Sequence, residues 1–380
     1  MVSVTSSSTG VRSNRLPTPR RATSAISLPG PPLASGHLYR RQVFRSQRPL
    51  SRSTRPPGGP DRRRGRQLSV QAVLLEAPRD VRVATVEDPV PAAGELLLEV
   101  AAVGICGSDL HYYLEGAIGN QAAGPGFVPG HEFACRVIDP RGAEFGLSPG
   151  TLVAVDPAHP CGRCEWCRSG HPNLCPSVVF KGVPPHAGAM AERIAAPVEC
   201  LFPLPEGFDA VDGLMLEPLG VAVHAVALAR PRLLESCAVL GLGPIGLLLL
   251  QVARCHGAAP VFGIDPVAER REAARELGAE EVFADLAGLR EATAGRGADL
   301  VLEATDSPDG FALAAEAARI GGRIVLVGIP EGNRYGLDAS LARRKGLSVR
   351  FSRRMGHVYP QAIDLVRRRL VDVRRIVTHR

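Results

Sequence analysis

Cys237-Ala-Val-Leu-Gly-Leu-Gly-Pro-Ile-Gly246 reads as a short apolar strand running into a glycine-rich turn. Leu247–His256 follows as a helix, and Ala259–Ile264 as the next strand, ending at Asp265. Strand, G-x-G-x-x-G turn, helix, strand and acid in that order form a dinucleotide fingerprint in its proper setting. Gly241 permits the tight turn, Gly243 leaves room for a pyrophosphate, and Gly246 lets helix and strand pack. The helix opening at Pro244 and Ile245 would carry the phosphates on its N-terminus. Asp265 stands nineteen residues after Gly246, placed to accept from the adenosine ribose 2′-hydroxyl. A carboxylate there repels a 2′-phosphate and favours NAD over NADP. Arg270 and Arg271, about a turn onward, would soften that preference.

Downstream the alternation continues: helix Glu269–Leu277, strand Glu281–Phe283, strand Ala298–Glu303, helix Phe311–Ile320 and strand Arg323–Val327. This predicts an α/β fold with a doubly wound parallel sheet over residues 219–351. After Phe351 the pattern changes, and His357–Leu370 reads as a helix.

Upstream the periodicity is two. Val73–Val83 and Glu95–Val103 alternate apolar and polar residues around Pro89, Pro91 and Gly94, and Arg136–Asp139 and Thr151–Val155 read as further short strands. Short strands with Gly/Pro turns over residues 70–218 predict a partly open β-barrel. Two metal-ligating patterns sit in it. Cys106, His131 and Glu132 offer a thiolate, an imidazole and a carboxylate, which suit zinc and leave a fourth position open, as in a catalytic site. Taken alone, the same trio also reads as a small buried residue and surface charges. Cys161, Cys164, Cys167 and Cys175 can wrap one tetrahedral metal with no open position, a structural zinc. Four cysteines also hold iron–sulfur clusters, but this spacing matches neither ferredoxin pattern. Glu217 opens an apolar helical run, and from spacing alone it reads as a helix N-terminal acid.

The chain has 380 residues, 45% hydrophobic and 22% charged, enough for two domains and a sizeable core. Its longest uninterrupted apolar run, near Ile245–Leu250, is too short to span a bilayer, so no membrane is expected. The net charge of +7 is misleading: residues 1–70 hold fourteen Arg, no Lys and the single acid Asp61, for +13, leaving −6 on the rest. The basic charge therefore argues for no nucleic-acid partner of the folded part. With twelve Ser and nine Pro, residues 1–69 read as a disordered leader. One reading is an organelle transit peptide, placing the protein in a plastid or mitochondrion. The other is translation ahead of a start near Leu68, leaving it cytoplasmic. Only two Lys stand against 43 Arg overall, so Arg richness is a coding habit here, which tips the reading to the second. Nine Cys, an odd number with four close together, point to metal binding in a reducing compartment rather than a disulfide framework.

In combination, residues 72–380 resemble the zinc-dependent medium-chain alcohol dehydrogenases, and most closely the sorbitol (polyol) dehydrogenase branch. The resemblance rests on CGSDLHYY at 106–113, PGHE at 129–132, the cysteine lobe at 161–175, LEPLGVAVHA at 216–225, GLGPIG at 241–246 and RRM…YPQAI…VTHR at 353–380. It implies a GroES-like barrel domain joined to a Rossmann domain, with the active site between them. It implies a catalytic zinc on Cys106, His131 and Glu132, with Glu217 a water-linked or alternating ligand and a substrate contact. It further implies a proton relay through Ser108 and His111, substrate contacts from Tyr112 and Arg354, and a homodimer or homotetramer. The implied reaction is NAD-dependent oxidation of a secondary alcohol, on a polyol, to a ketone. Rival expectations are a threonine-type or simple-alcohol dehydrogenase, and a zinc- and nucleotide-binding protein without catalysis. Two departures stand out. Cys135 occupies a position that is usually Gly, and the chain stops at Thr378-His-Arg380, where the family continues for thirty or forty residues that complete the barrel. Residues 352–380 are therefore expected to be a truncated return to the barrel domain.

Overall fold

The computed structural model describes residues 69–379; the leader lies outside the described residues. Strands β1 (Ser69–Ala77) and β2 (Asp80–Glu87) form an antiparallel hairpin, so the run read as Val73–Val83 turns at Pro78-Arg79. β3 (Glu95–Gly104) leads to helix α1 (Gly107–Glu115), the two-residue pair β4 (Ala117–Ile118) and β5 (Gln121–Ala122), then β6 (Glu132–Val137) and β7 (Leu152–Val155). β8 (Ala158–His159) and β9 (Val179–Phe180) pair across the cysteine lobe, which contains the short helix α2 (Glu165–Arg168). β10 (Arg193–Pro197) and β11 (Leu201–Pro203) complete a five-stranded antiparallel sheet in the order β10-β3-β6-β7-β11. Alternation drives it: Leu96, Leu98, Phe133, Val137, Val153, Val155 and Ile194 turn inward to one core. Cys135 belongs to that core, 0% exposed, so the side chain that replaces the usual Gly is accommodated as a small hydrophobe.

Helix α3 (Ala210–Leu214) precedes α4 (Leu216–Ala229). The segment 210–229 has mean hydropathy 1.5 and the length of a membrane span, longer than the run near Ile245–Leu250, yet two thirds of it (67%) is buried inside the protein. α4 packs on α5 and runs unbroken through position 218, linking the two sheets.

The second sheet follows: β12 (Cys237–Leu240), α5 (Pro244–Cys255), β13 (Val261–Ile264), α6 (Ala268–Glu276), β14 (Glu281–Phe283), α7 (Leu286–Ala292), β15 (Ala298–Glu303), α8 (Gly310–Ala317), β16 (Ala318–Leu326), α9 (Ala339–Lys345), β17 (Ser348–Phe351) and α10 (Tyr359–Arg367). All its strands are parallel, in the order β14-β13-β12-β15-β16-β17. The strand order reverses between β12 and β15, where doubly wound sheets bind their ligands. Two differences from the sequence reading have simple causes. The helix expected to reach Ile320 ends at Ala317, because Ala318 already pairs with Ala298 and Ile320 is 74% exposed. α7 and α9, seven residues each, are too short to display helical periodicity. At the end of the described chain, Val371, Val373 and Ile376 pack into the core around α4 and α5, and Arg374 reaches Asp212 of α3 at 2.7 Å.

Candidate active site

The ligand trio is assembled by a residue that sequence reasoning did not single out. Cys106 caps α1, and Asp109, in the first turn, turns its carboxylate back. Asp109 Oδ2 accepts from the Cys106 amide at 3.0 Å, and Oδ1 accepts from the Gly130 amide at 3.1 Å. The same Oδ1 lies 3.8 Å from His131 Nδ1. One buried carboxylate thus ties together the two loops that carry Cys106 and His131-Glu132. The signal was present as an acid three residues after the helix-capping Cys. The Cys106 sulfur, a His131 ring nitrogen and a Glu132 oxygen all lie within 4.8 Å of one another.

Electrostatics favour a cation here. Burial pushes the Cys106 thiol well above its usual range, and the Glu132 and Glu217 charges add to this. Burial raises Glu132 to about 7. Burial lowers His131. Glu217, in the first turn of α4 and 6% exposed, is also raised well above the usual carboxylate range, by burial first and then by Glu132, Asp156 and Asp109. A divalent ion would relieve this crowding, and the thiolate–imidazole–carboxylate donor set fits zinc rather than a hard cation. Glu217 is outside the mutually close trio but near enough for its charge to act on Cys106.

The other expected residues fall at different distances from this centre. Ser108, next but one to Cys106, works against the rise of that thiol through its hydroxyl and amide. His111 Nδ1 instead meets Glu115 Oε1 at 2.9 Å, one turn along α1. Tyr112 is 1% exposed and edge-on to Phe127 at 5.5 Å, and it stands near enough to Arg354 and Asp109 to feel their charges. Arg354 adopts a left-handed conformation (φ 54°) and lies over the Phe180 ring at 4.7 Å. Its Nη1 is buried without a hydrogen-bond partner, and burial lowers its guanidinium to about 10. Phe180 also faces the His131 ring at 5.7 Å, so one aromatic side chain spans the trio and Arg354.

The four lobe cysteines come together with their sulfurs within 4.8 Å, Cys164 and Cys167 at 3.4 Å. Backbone amides of Arg163 and Cys164 lower Cys161 to about 6. Cys167 is raised to about 12, by burial and then by Cys164. Four sulfurs converging this closely, one already poised as a thiolate, fit a tetrahedral metal. His159 meets Glu199 at 3.0 Å and is not part of the lobe set.

At the end of β12, Gly241 has φ 81°, and a Cβ there would meet the Ala304 carbonyl at 2.8 Å; a Cβ on Gly246 would strike the Gly241 carbonyl. Gly243 caps α5, with Pro244 and Ile245 opening the helix, and has open space beside it, so the loop fits a pyrophosphate. Asp265, 2% exposed, accepts from the Leu242 amide at 2.8 Å through Oδ2 and from the Val267 amide at 2.8 Å through Oδ1. Its first task in this structure is thus to hold the glycine loop. Arg270 reaches Oδ2 at 3.4 Å, while Arg271 donates to the Asp265 and Pro266 carbonyls. A surface cleft of about 460 Å³ between α7, α8 and α9, lined by Arg290, Glu316 and Lys345, shares no residue with these sites.

A barrel-type sheet with a buried thiolate–imidazole–carboxylate centre, followed by a parallel sheet with a dinucleotide loop, defines a metal-dependent dehydrogenase. Residues 92–206 match the alcohol dehydrogenase GroES-like domain, and residues 244–368 match the zinc-binding dehydrogenase family. The sorbitol dehydrogenase of Bacillus subtilis is 31% identical over 315 residues, 82% of this chain and 89% of that protein. D-xylulose reductase A of Aspergillus oryzae is 34% identical over 303 residues, 76% of this chain and 84% of that protein. An alcohol dehydrogenase structure from Escherichia coli complexed with NADH superposes with TM-score 0.74 at 30% identity, covering 82% of this chain and 91% of that one. A zinc-binding dehydrogenase from Sinorhizobium meliloti bound to NADP gives 0.73 at 30%, covering 80% and 90%. The chain belongs to the zinc-dependent medium-chain alcohol dehydrogenases, in the sorbitol/polyol branch.

Proposed function

We propose that this protein oxidises a secondary hydroxyl of a polyol such as sorbitol or xylitol to a ketone, with NAD as hydride acceptor. The observation that carries this is the Cys106–His131–Glu132 cluster, flanked by the buried acid Glu217 and by Arg354 with its unpartnered nitrogen. When bound, zinc supplies a positive charge that makes an alcohol oxygen more acidic, and the nicotinamide supplies the hydride acceptor. Cys106, His131 and Glu132 would hold that zinc, and the four lobe cysteines a second, structural one. Asp109 keeps His131 and Cys106 in register from behind. Ser108 would accept the alcohol proton while giving up its own hydroxyl proton toward His111, which passes one on to solvent with Glu115 as partner of the imidazole. Glu217 orients the substrate as a buried acid. Arg354 favours a polyol over ethanol or threonine, since its buried nitrogen needs an acceptor such as a hydroxyl beyond the reacting carbon.

Asp265 supports NAD: a 2′-phosphate would face a buried carboxylate. Arg270 is the feature that would admit NADP. The test is reduced-cofactor formation by the full chain with sorbitol, xylitol, ribitol, threonine and ethanol, each with NAD and NADP. The reading expects the highest kcat/KM for a polyol with NAD. Preference for threonine or ethanol would overturn the substrate assignment, and preference for NADP would overturn the cofactor.

A further inference from the structure

Asn173 sits where three parts of the chain meet. It lies in the 3₁₀ turn Pro172–Leu174, between the third and fourth lobe cysteines, and is 7% exposed. Its amide nitrogen donates to the Arg353 carbonyl at 3.1 Å and lies 3.4 Å from His224 Nε2. A side-chain amide has two N–H donors, so a neutral imidazole accepting at Nε2 lets both find partners. Burial, and then the charge of His171, lower His224, which favours the neutral imidazole. His224 stands two turns beyond Glu217 on α4, on the same face of that helix.

Arg353 immediately precedes Arg354. A left-handed backbone is uncommon for a residue other than Gly, Asn or Asp and persists only where its surroundings hold it. The Asn173–Arg353 bond spans 180 residues of sequence and fastens the peptide unit on the N-terminal side of that turn. Burial and then the neighbouring Arg353 charge lower the Arg354 guanidinium, and Cys175 of the lobe and Tyr112 of α1 partly offset this.

We infer that Asn173 is a positioning residue for substrate recognition: by tying the four-cysteine lobe to the Arg353 carbonyl, it fixes the turn that presents Arg354 to the polyol. The order of the lobe therefore governs affinity for polyhydroxylated substrates. This rests on the polyol reading above for its kinetic consequence, but not for its structural one.

The test uses Asn173→Asp, which keeps the shape but cannot donate to a carbonyl, with Asn173→Ala as a second variant. Amide hydrogen exchange over residues 352–358 reads the turn without any substrate. Exchange there rises in both variants while that of 298–303 in β15, which Asn173 does not touch, stays as in the parent; unchanged exchange at 352–358 overturns the inference. In kinetics, loss of one buried hydrogen bond raises KM for sorbitol ~10-fold with kcat nearly preserved, and leaves KM for 2-butanol unchanged. In an Arg354→Ala background, Asn173→Asp adds nothing further. Equal damage with both alcohols, or additive effects, shows a merely structural role and overturns the positioning role. If the parent protein oxidises no polyol, the proposed function fails by itself, and the exchange measurement still decides the role of Asn173.

Discussion

Gly104→Ala probes the metal centre through a single carbon atom. Gly104 ends β3, opposite Glu132 at the start of β6. A Cβ on Gly104 would stand 2.5 Å from Glu132 Oε2, 3.2 Å from Glu132 Cβ and 3.3 Å from Leu214 Cδ1. Non-bonded heavy atoms settle near ~3.5 Å, so the carboxylate oxygen must retreat by about 1 Å. The displaced atom is the free end of a flexible side chain, so the fold yields at little cost. A metal site does not: ligand distances hold to within ~0.2 Å. By analogy with outer-shell substitutions, zinc affinity of the trio falls ~10–100-fold, and kcat/KM falls in step at limiting zinc. Competition against a chromophoric chelator measures the first, and far-UV circular dichroism with the melting temperature confirms the fold. Gly107→Ala, whose added Cβ would meet nothing within 4 Å, is the neutral control. A Gly104→Ala protein that folds, binds zinc as tightly as the parent and turns over equally would refute the placement of Glu132 on the metal.

Three further outcomes are expected. Ser108→Ala lowers turnover ~10²-fold with NAD affinity nearly unchanged, as for loss of a proton-transfer group; equal turnover removes Ser108 from the relay. Asp265→Ser raises KM for NAD ~10-fold and raises KM for NADP less, because the ribose acceptor and the hold on the Leu242 amide go together; an unchanged ratio of the two removes the ribose role. Burial raises the Asp156 carboxyl from 3.8 to about 6. The folded state therefore binds this proton more tightly than the unfolded chain, and its contribution to stability is present at low pH and lost as pH rises from about 4 to about 6. Asp156→Asn, which keeps the acceptor for the Ala158 amide, removes that loss, so urea midpoints of the zinc-free proteins should separate above pH 6 in favour of the variant. An identical difference at pH 4 and pH 8 would show that Asp156 does not titrate in this way.

Local chemistry made much of this protein legible. The Gly241–Gly246 turn needs its neighbours only within one strand and one helix, and the lobe cysteines announce a metal by spacing alone. β3 was also readable, because Leu96 and Leu98 alternate inward with period two. β6, by contrast, runs over Glu132–Val137, and only its end falls within the Arg136–Asp139 read from sequence, since Glu132 to Cys135 are buried without alternation. What sequence could not show is created by distance along the chain. Asp109 matters because it meets Gly130, twenty-one residues on, and Asn173 because it meets Arg353. Glu217 looks like an ordinary helix-opening acid until the fold buries it beside Glu132. Tyr112 is marked by its motif, and only the fold shows that it packs against Phe127 while lying near Arg354.

The central claim is that Cys106, His131 and Glu132 hold the zinc on which polyol oxidation depends. Zinc content per chain and NADH formation from sorbitol and xylitol, measured together on the parent and on Cys106→Ser, test it most directly. The account predicts two zinc ions and chelator-sensitive turnover in the parent, and one retained zinc with no turnover in the variant. A Cys106→Ser protein that keeps both ions, or that still oxidises a polyol at the parent's rate, would contradict it.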